Sequence, residues 1–129
     1  MTWKANISYV REIEKGCSVS YGRHYLAPKR MRVATVSCGY ADGYPRIVSN
    51  TGKEVLVHGQ RAKIIGNVCM DQMMIDVSNI ENVKAGDEVV LFGYDHDVLL
   101  SVDELSRSAH TINNETLCLI TTRVPRIYK

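Results

Sequence analysis

The sequence predicts a mainly β domain, a small closed barrel or sandwich of about eight short strands with one helix. Short apolar runs rich in valine and isoleucine recur along the chain, as at 32–36 and 88–92. Such β-branched residues suit the half-buried surface of a sheet. Turn-forming glycine, asparagine and aspartate punctuate those runs. Apolar residues fall clearly at helical spacing only once, near the C-terminal end.

The elements follow in order. Residues 3–13 alternate loosely, with Ala5, Ile7, Tyr9 and Arg11 against Asn6, Ser8 and Val10, which favours a strand. Glu14-Lys15-Gly16 is a turn, and 18–21 form a short strand that Gly22 breaks. Ala27-Pro28-Lys29-Arg30 leads into the strand at 32–36, and Ser49-Asn50-Thr51-Gly52 is a loop. Residues 54–57 and 62–65 flank His58-Gly59-Gln60-Arg61 as a hairpin. In the next strand Met73, Ile75 and Val77 share one face and Asp76 takes the other. Lys84-Ala85-Gly86-Asp87 turns into the strand at 88–92, and Gly93-Tyr94-Asp95-His96-Asp97 is a polar loop. Ser101 and Glu104 have the spacing of a capping box. Val102, Leu105, Ala109 and Ile112 then bury one helical stripe. Asn113-Asn114 ends that helix, and 116–121 resume as a strand.

The chain has the length of one domain. With 45% hydrophobic and 23% charged residues it reads as globular rather than disordered. Its formal charge of +2, dispersed along the chain, argues against nucleic acid or an anionic membrane as partner. The cysteines, Cys17, Cys38, Cys69 and Cys118, form no C-x-x-C pair and sit beside apolar residues. Buried free thiols are expected, without disulfides or a metal. No signal peptide or membrane-length apolar run is visible, so the chain as given reads as cytoplasmic.

Chemistry points first to Cys38-Gly39-Tyr40-Ala41-Asp42-Gly43-Tyr44-Pro45-Arg46. Gly39 and Gly43 let the backbone bend and let another molecule approach closely. Tyr40 therefore sits on a turn at the mouth of a strand, where scaffolds present working groups. The bland reading of such a turn is an aromatic plug. Asn67-Val68-Cys69-Met70-Asp71-Gln72, Thr111-Ile112-Asn113-Asn114-Glu115 and Arg123-Val124-Pro125-Arg126-Ile127-Tyr128 also stand out. Taken singly they read as core filler and turn cap, a helix stop, and a solvated terminal strand. The histidines show no metal-cluster spacing or partnered nucleophile. Glycine-rich nucleotide loops are absent.

In series, V-S-Y-G-R at 19–23, G-Y-A-D-G-Y-P-R at 39–46, C-M-D-Q at 69–72, G-D-E-V at 86–89, T-I-N at 111–113 and R-V-P-R at 123–126 closely resemble the C-terminal domain of bacterial alanine racemase. The resemblance implies a fold-type III enzyme. Its N-terminal (β/α) barrel, outside this chain, carries pyridoxal phosphate on a lysine, and residues 1–129 form the single β domain. It implies a homodimer in which the barrel of one subunit meets the β domain of the other. Tyr40 matches the catalytic tyrosine presented to the partner's cofactor, which takes the proton of the L-amino acid. Met70 matches a substrate-contacting residue, with Asp71 beside it. Racemisation exchanges a proton between opposite faces of Cα, so two bases on opposite sides suit it. A phenol, with an ordinary pKa of about 10, needs a neighbouring cation or donor to act as one at neutral pH. One departure concerns Asn114, where most members have tyrosine. The smaller amide leaves room and a hydrogen-bond partner for a hydroxymethyl group. It resembles the membrane-anchored serine/alanine racemases of vancomycin-resistance clusters, which implies an upstream transmembrane region in the parent. The neutral reading of Asn114 is drift at a helix stop. A non-catalytic dimerisation module is the alternative function. A decarboxylase relative would place a cysteine, not a tyrosine, near the partner's cofactor.

Overall fold

The computed structural model describes residues 1–128. The strands are β1 (Trp3–Ile13), β2 (Ser18–Val19), β3 (Tyr25–Leu26), β4 (Met31–Val36), β5 (Glu54–Val57), β6 (Gln60–Ile65), β7 (Met73–Asp76), β8 (Glu88–Asp95) and β9 (Val98–Leu100). Two short helices follow, α1 (Val102–Ser108) and α2 (Asn113–Leu119). The main sheet runs β1-β4-β7-β6-β5-β8-β9, and β1 also pairs with β8, so the order returns on itself. All these pairings are antiparallel. The mainly β expectation holds, in a ring that is sandwich-like.

Two strands turn the corners between the layers. The start of β1 pairs with β8 (Lys4 with Val90, Ala5 with Val89), and its later part pairs with β4 (Ile7 with Val36, Ile13 with Met31). A register shift between Ile7 and Tyr9 marks the bend. Such irregularities let one strand serve two sheets, and this one breaks the alternation expected for 3–13. Likewise β6 pairs with β5 through 60–63 and with β7 through Ile64 and Ile65. The core between the layers holds Trp3, Ile7, Val36, Val55, Val57, Ile75, Val89 and Leu91. A second apolar cluster, with Val19, Met31, Val33 and Met74, lies on the outer face of β4 and β7. That is why 31–36 is apolar on both faces rather than alternating. Each of these fully buried side chains contributes about 1.5–3 kcal/mol.

The hairpin between β5 and β6 is tighter than expected, since Val57 already pairs with Gln60. His58 and Gly59 both take positive φ, 51° and 71°, the twist that a two-residue hairpin loop demands. The polar loop expected at 93–97 is instead a second hairpin, in which β8 runs on to Asp95 and β9 pairs with it. β3 is a further strand without a clear sequence signal.

The C-terminal third differs most from expectation. Ser101 and Glu104 cap α1 reciprocally, as their spacing predicts. Helix α1 stops at Ser108, because His110 takes a left-handed φ of 56° and the Thr111 N–H folds back to the Ser106 carbonyl. Asn113 and Asn114 then open α2 rather than ending a helix, and 116–119 are helical, not a strand. The Ser106 and Thr116 hydroxyls lie 2.8 Å apart in the buried seam between the helices. That contact overrides the β-like composition of Thr116-Leu117-Cys118-Leu119. The thiols divide, Cys38 and Cys69 being buried and Cys17 and Cys118 exposed, so four buried thiols was too many. All four are free.

Candidate active site

Tyr40 opens a single 3₁₀ turn, Tyr40–Asp42, directly after β4. Its backbone is fixed from three directions. The N–H groups of Tyr40 and Ala41 donate to the carbonyls of Cys69 (3.0 Å) and Met70 (2.9 Å). The Asp42 carboxylate accepts from the Gly39 N–H at 2.9 Å. On the far side, Thr121 donates its N–H to the Asp42 carbonyl and its hydroxyl to that of Ala41, each at 3.0 Å. Both glycines are needed for this closeness. A Cβ on Gly39 would stand 2.2 Å from the Cys69 carbonyl oxygen, and one on Gly43, at φ 105°, 2.1 Å from that of Leu119. Backbone therefore touches backbone where any side chain would clash.

The Tyr40 side chain is 42% exposed, so it is no plug. Tyr44 plugs the core instead: it is fully buried, and its ring packs 5.8 Å from Trp3, which meets Phe92 edge-on. Tyr40 lines a groove of about 450 Å³ with Tyr21, Arg46, Asn67, Met70 and Asp71. Met70 is half-exposed, and Tyr21 and Ile47 more so. Tyr21 and Met70 thus present large side chains outward at the opening. The Asn67 amide donates to the Tyr21 carbonyl at 2.9 Å, tying the C-M-D-Q loop to the V-S-Y-G-R stretch.

Arg123 links the two walls. Its guanidinium lies 2.6 Å from Asp71 and 3.3 Å from Asp42. The Arg123 charge is held above its usual range, first by the Asp71 hydrogen bond and then by Asp42. The terminal stretch is no strand. Arg126 donates to the carbonyls of Ile120, Thr121 and Val124 at 2.6–2.8 Å and clasps the backbone that holds the tyrosine turn. Beneath the turn, burial and then Asp42 push the Cys38 thiol up to about 12. It stays protonated and offers no nucleophile.

Of the residues singled out in the sequence, Tyr40, Met70 and Asp71 meet in the groove. Asp71 is already paired with Arg123. Asn114 is exposed on the first turn of α2 and does not line the groove. Arg46 and Tyr21 are groove residues that the sequence reading gave no separate role. Both stand within motifs that carry the family resemblance, and Arg46 forms no ion pair among the described residues. It is the cation best placed to meet an anionic group entering the groove. The lining contains no lysine, so this groove offers no amine to an aldehyde group. What the groove offers is a phenol, a guanidinium and an apolar rim, which fit one wall of a site for an anionic cofactor and a small substrate. Among the described residues no three metal-ligating side chains cluster, and no helix is long and apolar enough to cross a membrane.

Comparison with known proteins accords with this geometry. The family model "Alanine racemase, C-terminal domain" matches residues 1–128. The chain is 50% identical to an alanine racemase of Halothermothrix orenii over all 129 residues, covering 34% of that protein. It is 48% identical to one of Clostridium perfringens, covering 33% of it. Among solved structures, alanine racemase from E. faecalis superposes with a TM-score of 0.92 at 34% identity, over 99% of this chain and 33% of that one. The Bartonella henselae enzyme with covalently bound pyridoxal phosphate gives 0.91 at 32% identity, over 99% and 34%. The chain therefore spans about a third of the relatives it matches. On that evidence it belongs to the alanine racemase C-terminal domain family.

Proposed function

We propose that the chain is the β domain of a pyridoxal-phosphate-dependent alanine racemase, and that it supplies Tyr40 as a proton-transferring group to a site completed by a partner subunit. The observation that carries this reading is the contrast at Tyr40, a backbone pinned on three sides beneath a side chain that stands free in an open groove. A turn held so firmly suits a group that must meet a reacting atom in fixed geometry. The exposed Tyr21 and Met70 beside it suit burial against a second domain, in keeping with a homodimer.

The cofactor, when bound, supplies the electron sink that acidifies the substrate Cα–H. This chain's part is narrower. The Tyr40 phenolic oxygen receives the proton on the L-face and returns it there in the reverse direction. Met70 walls the substrate on the same side, and Arg46 is available to an anionic group. Asp71 keeps Arg123 in place, and so keeps the C-M-D-Q loop against the tyrosine turn.

In the full-length protein, Tyr40→Phe removes one hydroxyl and keeps the ring. Racemisation is expected to fall by about 10²–10⁴, with cofactor loading and Tm little changed. Wash-out of Cα deuterium should fall more from the L-amino acid than from the D-amino acid. A loss of only a few-fold in both directions would exclude Tyr40 as a base.

Serine is the second reading for the substrate, and Asn114 favours it. The family resemblance puts tyrosine at this place in most members, and the exposed amide on the first turn of α2 is small and polar. On this reading, which the resemblance to membrane-anchored serine/alanine racemases suggests, the amide would pair with the hydroxyl of serine once the partner domain completes the site. Asn114→Tyr in the full-length protein is expected to shift the serine-to-alanine ratio of kcat/KM about ten-fold towards alanine, as removal of one hydrogen bond with added crowding implies. An unchanged ratio would leave alanine as the substrate and Asn114 as the opening residue of a helix.

A further inference from the structure

Lys53 stands at the entry to β5 and is only 6% exposed. Lysine is rarely so buried unless paired. It nevertheless forms no ion pair among the described residues. It lines a cavity of about 330 Å³ with Thr51, Gly52, Glu54, Arg61, Glu104 and Arg107. The two carboxylates there are already engaged. Arg61 donates to Glu54 at 3.2 Å and to Glu104 at 3.0 and 3.4 Å. Arg107, at the rim, turns to Asp103 on its own helix. Arg61 and Arg107 are thus matched by carboxylates, and Lys53, the most deeply set of the three cations, is the one without an ion-pair partner among the described residues.

From this arrangement we infer that the cavity is a binding site for a small oxyanion, a phosphate or carboxylate group seated against Lys53 with Arg107 at its mouth. The volume lies at the low end for small-molecule sites and suits a compact group. Gly52 leaves the wall open, since a Cβ there would meet nothing within 4 Å. Burial already holds the Lys53 ammonium below the usual lysine range, opposed by Glu104. A bound anion would relieve that desolvation with a hydrogen-bonded charge pair. Arg61 offsets the charge of Glu54 and Glu104, which share the lining. The cavity shares no lining residue with the groove around Tyr40, so this inference stands apart from the proposed racemase role.

Titration with inorganic phosphate and with acetate, each at constant ionic strength and followed in ¹H–¹⁵N spectra, tests the site. Saturable shifts are expected at 51–54 and 104–108. Saturation by phosphate alone would assign the site to phosphorylated ligands, by acetate alone to carboxylates, and either supports it. Lys53→Met keeps the aliphatic stem and should weaken binding ten-fold or more, while Arg107→Gln should weaken it a few-fold. Arg107 is largely exposed, so its variant folds whatever befalls the Lys53 one. The absence of saturable shifts with both anions, or wild-type affinity in Lys53→Met or in Arg107→Gln, would overturn the inference.

Discussion

Tyr40 and Tyr44 belong to one motif and take opposite parts. Tyr40 stands 42% exposed at the groove, whereas Tyr44 is fully buried and its hydroxyl has no hydrogen-bond partner. Burial raises the Tyr44 pKa far above the phenol range, so it remains a neutral phenol. An unmet buried hydroxyl costs about 1–3 kcal/mol. Tyr44→Phe is therefore expected to stabilise the fold by about 1 kcal/mol, raising Tm by a few degrees in a calorimetric scan. A fall in Tm would mean that the hydroxyl has a partner. From sequence, the turn and its outward tyrosine were legible because glycine spacing is a strong local signal. Which ring fills the core was not legible, because that depends on Trp3 and Phe92, far away in the chain.

At the scale of elements, the groove is an agreement among three loops. The tyrosine turn, the C-M-D-Q loop and the terminal R-V-P-R meet through backbone bonds and through Arg123, which bridges Asp42 and Asp71. Arg123 is half-exposed, and exposed ion pairs contribute about 0–1 kcal/mol. Arg123→Met should therefore leave Tm nearly unchanged. In the full-length protein it should lower kcat/KM by about ten-fold or more, because slight misplacement of a reacting group is costly. Hydrogen exchange at 39–43 and 69–72 should quicken in parallel. An activity equal to wild type would show that the backbone bonds alone hold the loops. Local signals revealed most strands, the 54–65 hairpin and the α1 cap. They failed at α2, where Asn113-Asn114 looks like a stop and the contact with α1 decides otherwise. They failed also at 123–126, whose arginines read as solvated until their carbonyl and carboxylate partners are seen.

For the whole molecule, acid sensitivity follows from carboxylates that tie distant segments together. The Asp87 pKa is lowered first by the Lys84 N–H, with further help from the Lys84 and His58 side chains. That of Glu104 is lowered first by the Arg61 hydrogen bond. Each folded-state pKa lies below its ordinary value, 3.8 for Asp87 and 4.5 for Glu104. Their stabilisation is complete above those values and is lost as pH falls through the folded-state ones. Tm should therefore hold level above about pH 5 and drop steeply below pH 4.5, more shallowly in Asp87→Asn. An equally steep drop in that variant would place the acid sensitivity elsewhere. The closure of the sheet through β1 and β8 also has a consequence during synthesis. Trp3 pairs with Phe92, so the start of β1 waits until the residues up to β8 have been made. At about 5–20 residues per second the delay is on the order of 4–18 s. Until then the face of β1 that carries Trp3 and Ile7 lacks the cover of β8, and the strand is open to chaperones and to pairing with a neighbouring nascent chain.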